Sequence, residues 1–114
     1  MDSQVIELTD ENFEEEVFGS STPMLVEFFS ESSYAARELS GIFDQLAEQF
    51  GEKARMGRLD MDVHWQTAES LEVKTSPTVL IVQNGKVIER MDGVHERGEY
   101  QQAIHELVSQ YWVI

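Results

Sequence analysis

Six residues, Met24-Leu-Val-Glu-Phe-Phe29, form an apolar run interrupted by one acid. Bounded by Pro23 and by polar residues, the run reads as a buried strand. The polar stretch Ser30 to Gly41 follows and leads into a helix. Its apolar residues recur at Leu39, Ile42, Phe43, Leu46, Ala47 and Phe50, one face of a 3.6-residue period. A strand feeding a helix through a short polar turn is where α/β proteins place their chemistry. The helix N-terminus there offers free N–H groups and the positive end of a dipole.

The flanking segments extend this unit in both directions. Val5-Ile-Glu-Leu8 is a short strand, and Thr9 is a plausible N-cap with Asp10 and Glu11 in the first turn. Phe13, Val17 and Phe18 give that helix its apolar side, while Glu14, Glu15 and Glu16 read as a solvated face. Gly19-Ser-Ser-Thr-Pro23 ends it. The long helix stops near Phe50-Gly51. Ala54 to Met61 is a third strand, Trp65 to Leu71 a short helix, and Thr78 to Val82 a fourth strand. Asn84-Gly85 is a two-residue hairpin signal that returns the chain through Lys86 to Met91. A final helix carries Tyr100, Ile104, Leu107, Val108 and Tyr111 at helical spacing. The order β-α-β-α-β-α-β-β-α predicts an α/β domain spanning 1–114. Its sheet is mixed, with parallel strands joined by right-handed crossovers and a closing antiparallel hairpin.

Charge and composition narrow the function. The net charge of −14 disfavours nucleic acid and anionic membranes as partners and favours basic ones, although solubility alone is its simplest reading. No stretch approaches membrane-spanning length and Met1-Asp-Ser-Gln is no signal peptide, so the cytoplasm is the expected location. There is no cysteine among the 114 residues. Disulfide exchange needs a thiolate to attack and a second sulfur to be displaced, and serine supplies neither. Asp60, Asp62 and His64 could offer metal ligands from one side of an extended segment, but surface acids of this kind are usually solvated. No phosphate loop, dinucleotide fingerprint or zinc spacing is present, so neither a metal nor a cofactor is expected. The apolar tail Tyr111-Trp-Val-Ile114 reads as docking onto its own domain or joining a weak homodimer; otherwise the chain is a monomer.

The segment Val26-Glu-Phe-Phe-Ser-Glu-Ser-Ser-Tyr-Ala-Ala-Arg37 resembles the thioredoxin family's Val-Asp-Phe-Trp-Ala-x-Trp-Cys-Gly-Pro-Cys-Lys. Lys74-Thr-Ser-Pro-Thr78 resembles that family's Gly-Ile-Pro-Thr loop, and Gly93 its glycine before the last loop. The resemblance runs from about Gln4 to Gln110 and implies a thioredoxin fold, with helices on both faces of the sheet. It also implies that Ser33 and Ala36 occupy the two redox-cysteine positions, with Tyr34 and Ala35 for the intervening Gly-Pro and Ser32 for the preceding Trp. Gly41 stands where the family has a kink-forming proline.

By the same resemblance, Ser76–Pro77 is expected to be cis, with Ser76 offering its backbone to an extended peptide. The expected binding surface comprises Ser32, Ser33, Tyr34, Ser76, Pro77, Gly93, Val94 and His95. Tyr34 would either anchor a partner or plug the groove. Glu27 replaces the family's buried Asp and Arg58 its neighbouring Lys, implying a partly buried polar pair without a catalytic task. Serine chemistry at Ser33 would require a base, and of His64, His95 and His105 only His95 falls near the turn. The expectation is therefore a redox-inactive module that is not an enzyme and binds a protein or extended peptide, a basic one being favoured by charge, as an assembly chaperone does. The family includes cysteine-less assembly factors, among them hydrogenase-maturation proteins thought to handle basic signal peptides. The alternative by descent is a thiol-disulfide role that borrows a partner's cysteine.

Overall fold

The computed structural model describes the backbone of residues 4–112 and the side chains of residues 4–108, so the tail Tyr111–Ile114 lies outside the described side chains. Five strands, β1 (Val5–Leu8), β2 (Met24–Phe29), β3 (Arg55–Asp60), β4 (Thr78–Gln83) and β5 (Lys86–Asp92), make one sheet in the order β1-β3-β2-β4-β5. The first three run parallel; β4 lies antiparallel to β2, and β5 to β4. The hairpin signal is realised as Asn84 and Gly85, both at positive φ, the geometry a two-residue turn with matching twist requires. Along β4 and β5 the register slips between Ile81 and Val82, leaving Ile88 as an extra residue.

Three α-helices, α1 (Tyr34–Phe50), α2 (Trp65–Ser70) and α3 (Arg97–Trp112), cover the sheet. Alternation along the strands sends side chains to two cores. Leu25, Met56, Val79 and Ile81 meet Leu39, Phe43 and Leu46 of α1 and Tyr100, Ile104 and Leu107 of α3. Met24, Val26, Phe28, Leu59 and Leu80 meet Phe13, Val17 and Ala68 on the other side. β3 passes between β1 and β2 at Gly57, where a Cβ would lie 2.6 Å from both the Leu8 and Met24 side chains. Without that Cβ, the two large side chains close over the strand.

The segment after Thr9 differs from the expected α-helix. Thr9 Oγ accepts the Asn12 N–H at 3.0 Å, and Asn12 Oδ1 accepts the Thr9 N–H at 2.7 Å, a reciprocal cap. The chain then forms a π-helical turn, Glu14–Phe18, because the Gly19 N–H reaches back five residues to the Glu14 carbonyl at 3.0 Å. Phe13 and Val17 still enter the core, and Glu14 and Glu15 face solvent. Helix α1 runs without interruption through Gly41 and ends at Gly51 (φ +57), whose N–H bonds to the Ala47 carbonyl.

Candidate functional site

The turn between β2 and α1 is built by hydroxyl groups. Ser33 is the N-cap of α1, its Oγ accepting the Ala36 N–H at 3.2 Å. The same hydroxyl faces the Ser76 carbonyl at 3.4 Å. The Ser30 N–H donates to Ser76 Oγ at 2.8 Å, and the Ser30 hydroxyl donates to the Asp62 carboxylate with Ser32 Oγ 3.0 Å away. The Ser76–Pro77 peptide bond is cis, and the Pro77 carbonyl accepts the Gly93 N–H at 2.8 Å. Three segments distant in sequence, the 30–36 turn, the 75–78 loop and the 93–96 loop, are thus tied side by side. Among the described residues the Ser76 N–H donates to no backbone carbonyl, while Tyr34 is 83% exposed and Val94 also reaches solvent. A ring standing that far out cannot be packed down over the turn, so Tyr34 does not plug it.

No nucleophile is assembled there. Ser33 faces only backbone, and Ala36 is buried beneath the turn. Both ring nitrogens of His95 have partners other than Ser33: Nε2 lies 3.0 Å from the Asp92 carbonyl and Nδ1 3.0 Å from Glu99 Oε2. Its backbone N–H donates to the hydroxyl of buried Tyr100 at 3.1 Å, and the two rings meet edge to face.

Beneath the turn, Glu27 is fully buried in β2, next to Arg58 in the β2–β3 register. Arg58 Nε donates to Glu27 Oε1 at 3.1 Å, and its outer nitrogen reaches the Ser40 carbonyl at 3.2 Å and Asp44 at 3.5 Å. Glu27 Oε2 has no hydrogen-bond partner. Burial pushes the Glu27 carboxyl above its ordinary range; the Arg58 charge and hydrogen bond pull against burial without cancelling it.

Asp60, Asp62 and His64 turn to separate partners. Asp60 accepts the Asp62 N–H, Asp62 accepts the Ser30 hydroxyl, and His64 Nδ1 accepts the Asp10 N–H at 3.1 Å. Among the described residues no three His, Cys, Asp or Glu side chains are grouped to hold a metal ion. Sequence reasoning missed a groove of about 390 Å³ beside the turn, lined by Glu7, Phe29, Glu31, Arg58, Asp60 and Val63. Its acids outnumber its one cation, which is already turned toward Glu27. Among the described residues no helix is long and apolar enough to cross a membrane.

Known proteins match this sequence over nearly the whole chain. A thioredoxin family model matches residues 4–106. The thioredoxin of Buchnera aphidicola is 27% identical over 107 residues, covering 94% of this chain and 99% of its own. That of Chlorobaculum thiosulfatiphilum is 30% identical, covering 88% and 93%. Thioredoxin 2 of Chlorobaculum tepidum is 31% identical, covering 82% and 85%. With the sheet order, the Pro77 loop and this match in agreement, the chain belongs to the thioredoxin family, and it is a member whose 114 residues contain no thiol.

Proposed function

We propose that this protein is a redox-inactive binding module that holds an extended, basic segment of a partner protein, in the manner of an assembly chaperone. The contact surface is formed by Ser32, Ser33, Tyr34, Ser76, Pro77, Gly93, Val94 and His95. The observation that carries this reading is a preserved frame around absent sulfur. Ser33 to Ser76 and Pro77 to Gly93 remain bonded across three segments, although no thiol stands at positions 33 or 36. A frame of this kind leaves the Ser76 N–H for strand-like pairing, with Tyr34 and Val94 as exposed apolar contacts on either side. The net charge of −14 and the acids of the groove beside Phe29 support a basic partner.

Affinity capture from lysate of the source organism, followed by titration of the identified prey, tests the reading. The double variant Tyr34→Ala/Val94→Asp, checked for folding, should lose the prey by at least ~10-fold in Kd, the scale of one interface anchor. Equal affinity of both proteins would move the interface elsewhere. Disulfide reduction of insulin by the purified chain would overturn the non-enzymatic part of the proposal and favour the thiol-disulfide role.

A further inference from the structure

His95 sits between two acceptors. The Asp92 carbonyl faces Nε2 and the Glu99 carboxylate faces Nδ1, each at 3.0 Å. A carbonyl oxygen cannot donate, and neither can an ionised carboxylate. Either neutral tautomer would therefore turn one nitrogen lone pair toward an oxygen. Only the imidazolium, with a proton on each nitrogen, satisfies both contacts.

The surroundings support the cation. Asp92 lies on β5, Glu99 on the first turn of α3, and Glu96 in the loop itself, all acidic; the phenol of Tyr100 meets the ring edge to face. Tyr100 is held neutral, its pKa raised by burial, with Glu27 acting on it from β2 in the same direction. Among the described residues no basic side chain bonds to His95. Glu99 is also spoken for, since its Oε1 accepts the Glu96 N–H at 3.2 Å while the Glu99 N–H bonds to the Glu96 carbonyl at 2.9 Å. One carboxylate thus caps α3 and grips the imidazolium.

We propose that the 93–96 loop is a pH-responsive element: protonated His95 clamps it to β5 and α3, and loss of that proton releases the loop and shifts Val94. The consequence for a partner rests on the docking reading above; the clamp itself does not. The Glu99 bond raises the His95 pKa, burial opposes that, and the Asp92 carbonyl and nearby charges add to the rise. A raised folded-state value means that the clamp is complete below the ordinary value of 6.5 and is lost as pH rises through the folded-state pKa.

NMR titration of the free full chain, from about pH 5 to about pH 9, tests this without any partner. The expected result is a His95 ring midpoint above 6.5, with the Gly93 and Val94 amides shifting at that same midpoint. In Glu99→Gln the midpoint should fall toward 6.5, and in His95→Gln the Val94 amide should no longer titrate there. A His95 midpoint at or below 6.5, or Gly93 and Val94 amides indifferent to it, would overturn the proposal. If a prey is captured but its Kd does not change across the midpoint, docking stands and the clamp does not govern it.

Discussion

Two ionisable pairs flank the same loop system, and they sit in opposite environments. Glu27 and Arg58 lie under the turn, with one carboxylate oxygen lacking a hydrogen bond; His95 and Glu99 lie at the surface with every polar contact matched. Burial therefore works against the charge of Glu27, whereas pairing favours both charges of the second pair. The difference teaches that an ion pair is no fixed increment of stability. Its sign depends on how many of its hydrogen-bond sites are filled for the water it gives up.

Removing one member of the buried pair should have the largest effect. Arg58→Met leaves a buried carboxyl without its cation and should cost about 3 kcal/mol, the low end for such losses because Arg58 is 24% exposed. Urea denaturation at neutral pH measures it, and an unchanged midpoint would erase the contrast between the pairs. Replacing both members, Glu27→Leu with Arg58→Met, should be neutral or stabilising by up to about 4 kcal/mol, because the desolvation cost then vanishes with the charges. A double variant as weak as Arg58→Met alone would show that packing, not charge, dominates there.

Glu27→Gln sharpens the comparison through pH. The carboxyl's folded-state pKa is raised above 4.5, so the native state binds the proton more tightly and wild-type stability falls as pH rises from 4.5 through the folded-state value. The variant lacks that loss. Its advantage over wild type should be absent below pH 4.5 and grow above it, as read from denaturation curves at several pH values. The smallest effect is expected of His95→Gln, with the same pH sense in a higher window, because its folded-state pKa is also raised, from 6.5. Its cost should be seen near neutral and mildly acidic pH and fade as wild-type His95 itself deprotonates. A His95→Gln cost that has already faded below pH 6.5, or a Glu27→Gln variant less stable than wild type at neutral pH, would break the distinction.

The strand and helix order was legible because apolar spacing announces it: Met24–Phe29, the stripe from Leu39 to Phe50, and Asn84-Gly85 each carry a local signal. Other features depend on contacts that no local pattern encodes. Gly57 looks like a weak strand residue until Leu8 and Met24 are seen closing over it. Asp10 reads as a charge suited to its own turn, yet its carboxylate accepts the N–H and hydroxyl of Thr67 at the start of α2, 57 residues away. The π-helical turn follows from one Gly19 bond, not from the composition of Glu14–Phe18. At the site, the resemblance placed Ser33, Ser76, Pro77 and Glu27; the missing bond at Glu27 Oε2 and the two acceptors around His95 emerge only in three dimensions.

The extra residue in β5 has a consequence for how the molecule meets its neighbours. β5 is an outer strand with Val87 and Ile88 exposed, the kind of border on which chains stack into aggregates. Its bulge breaks the even spacing of N–H and C=O groups there, so a straight incoming strand cannot stay in step along its length. The longest open border of the sheet is thus unsuited to strand pairing, and under the proposed function pairing would fall to the short stretch before Pro77.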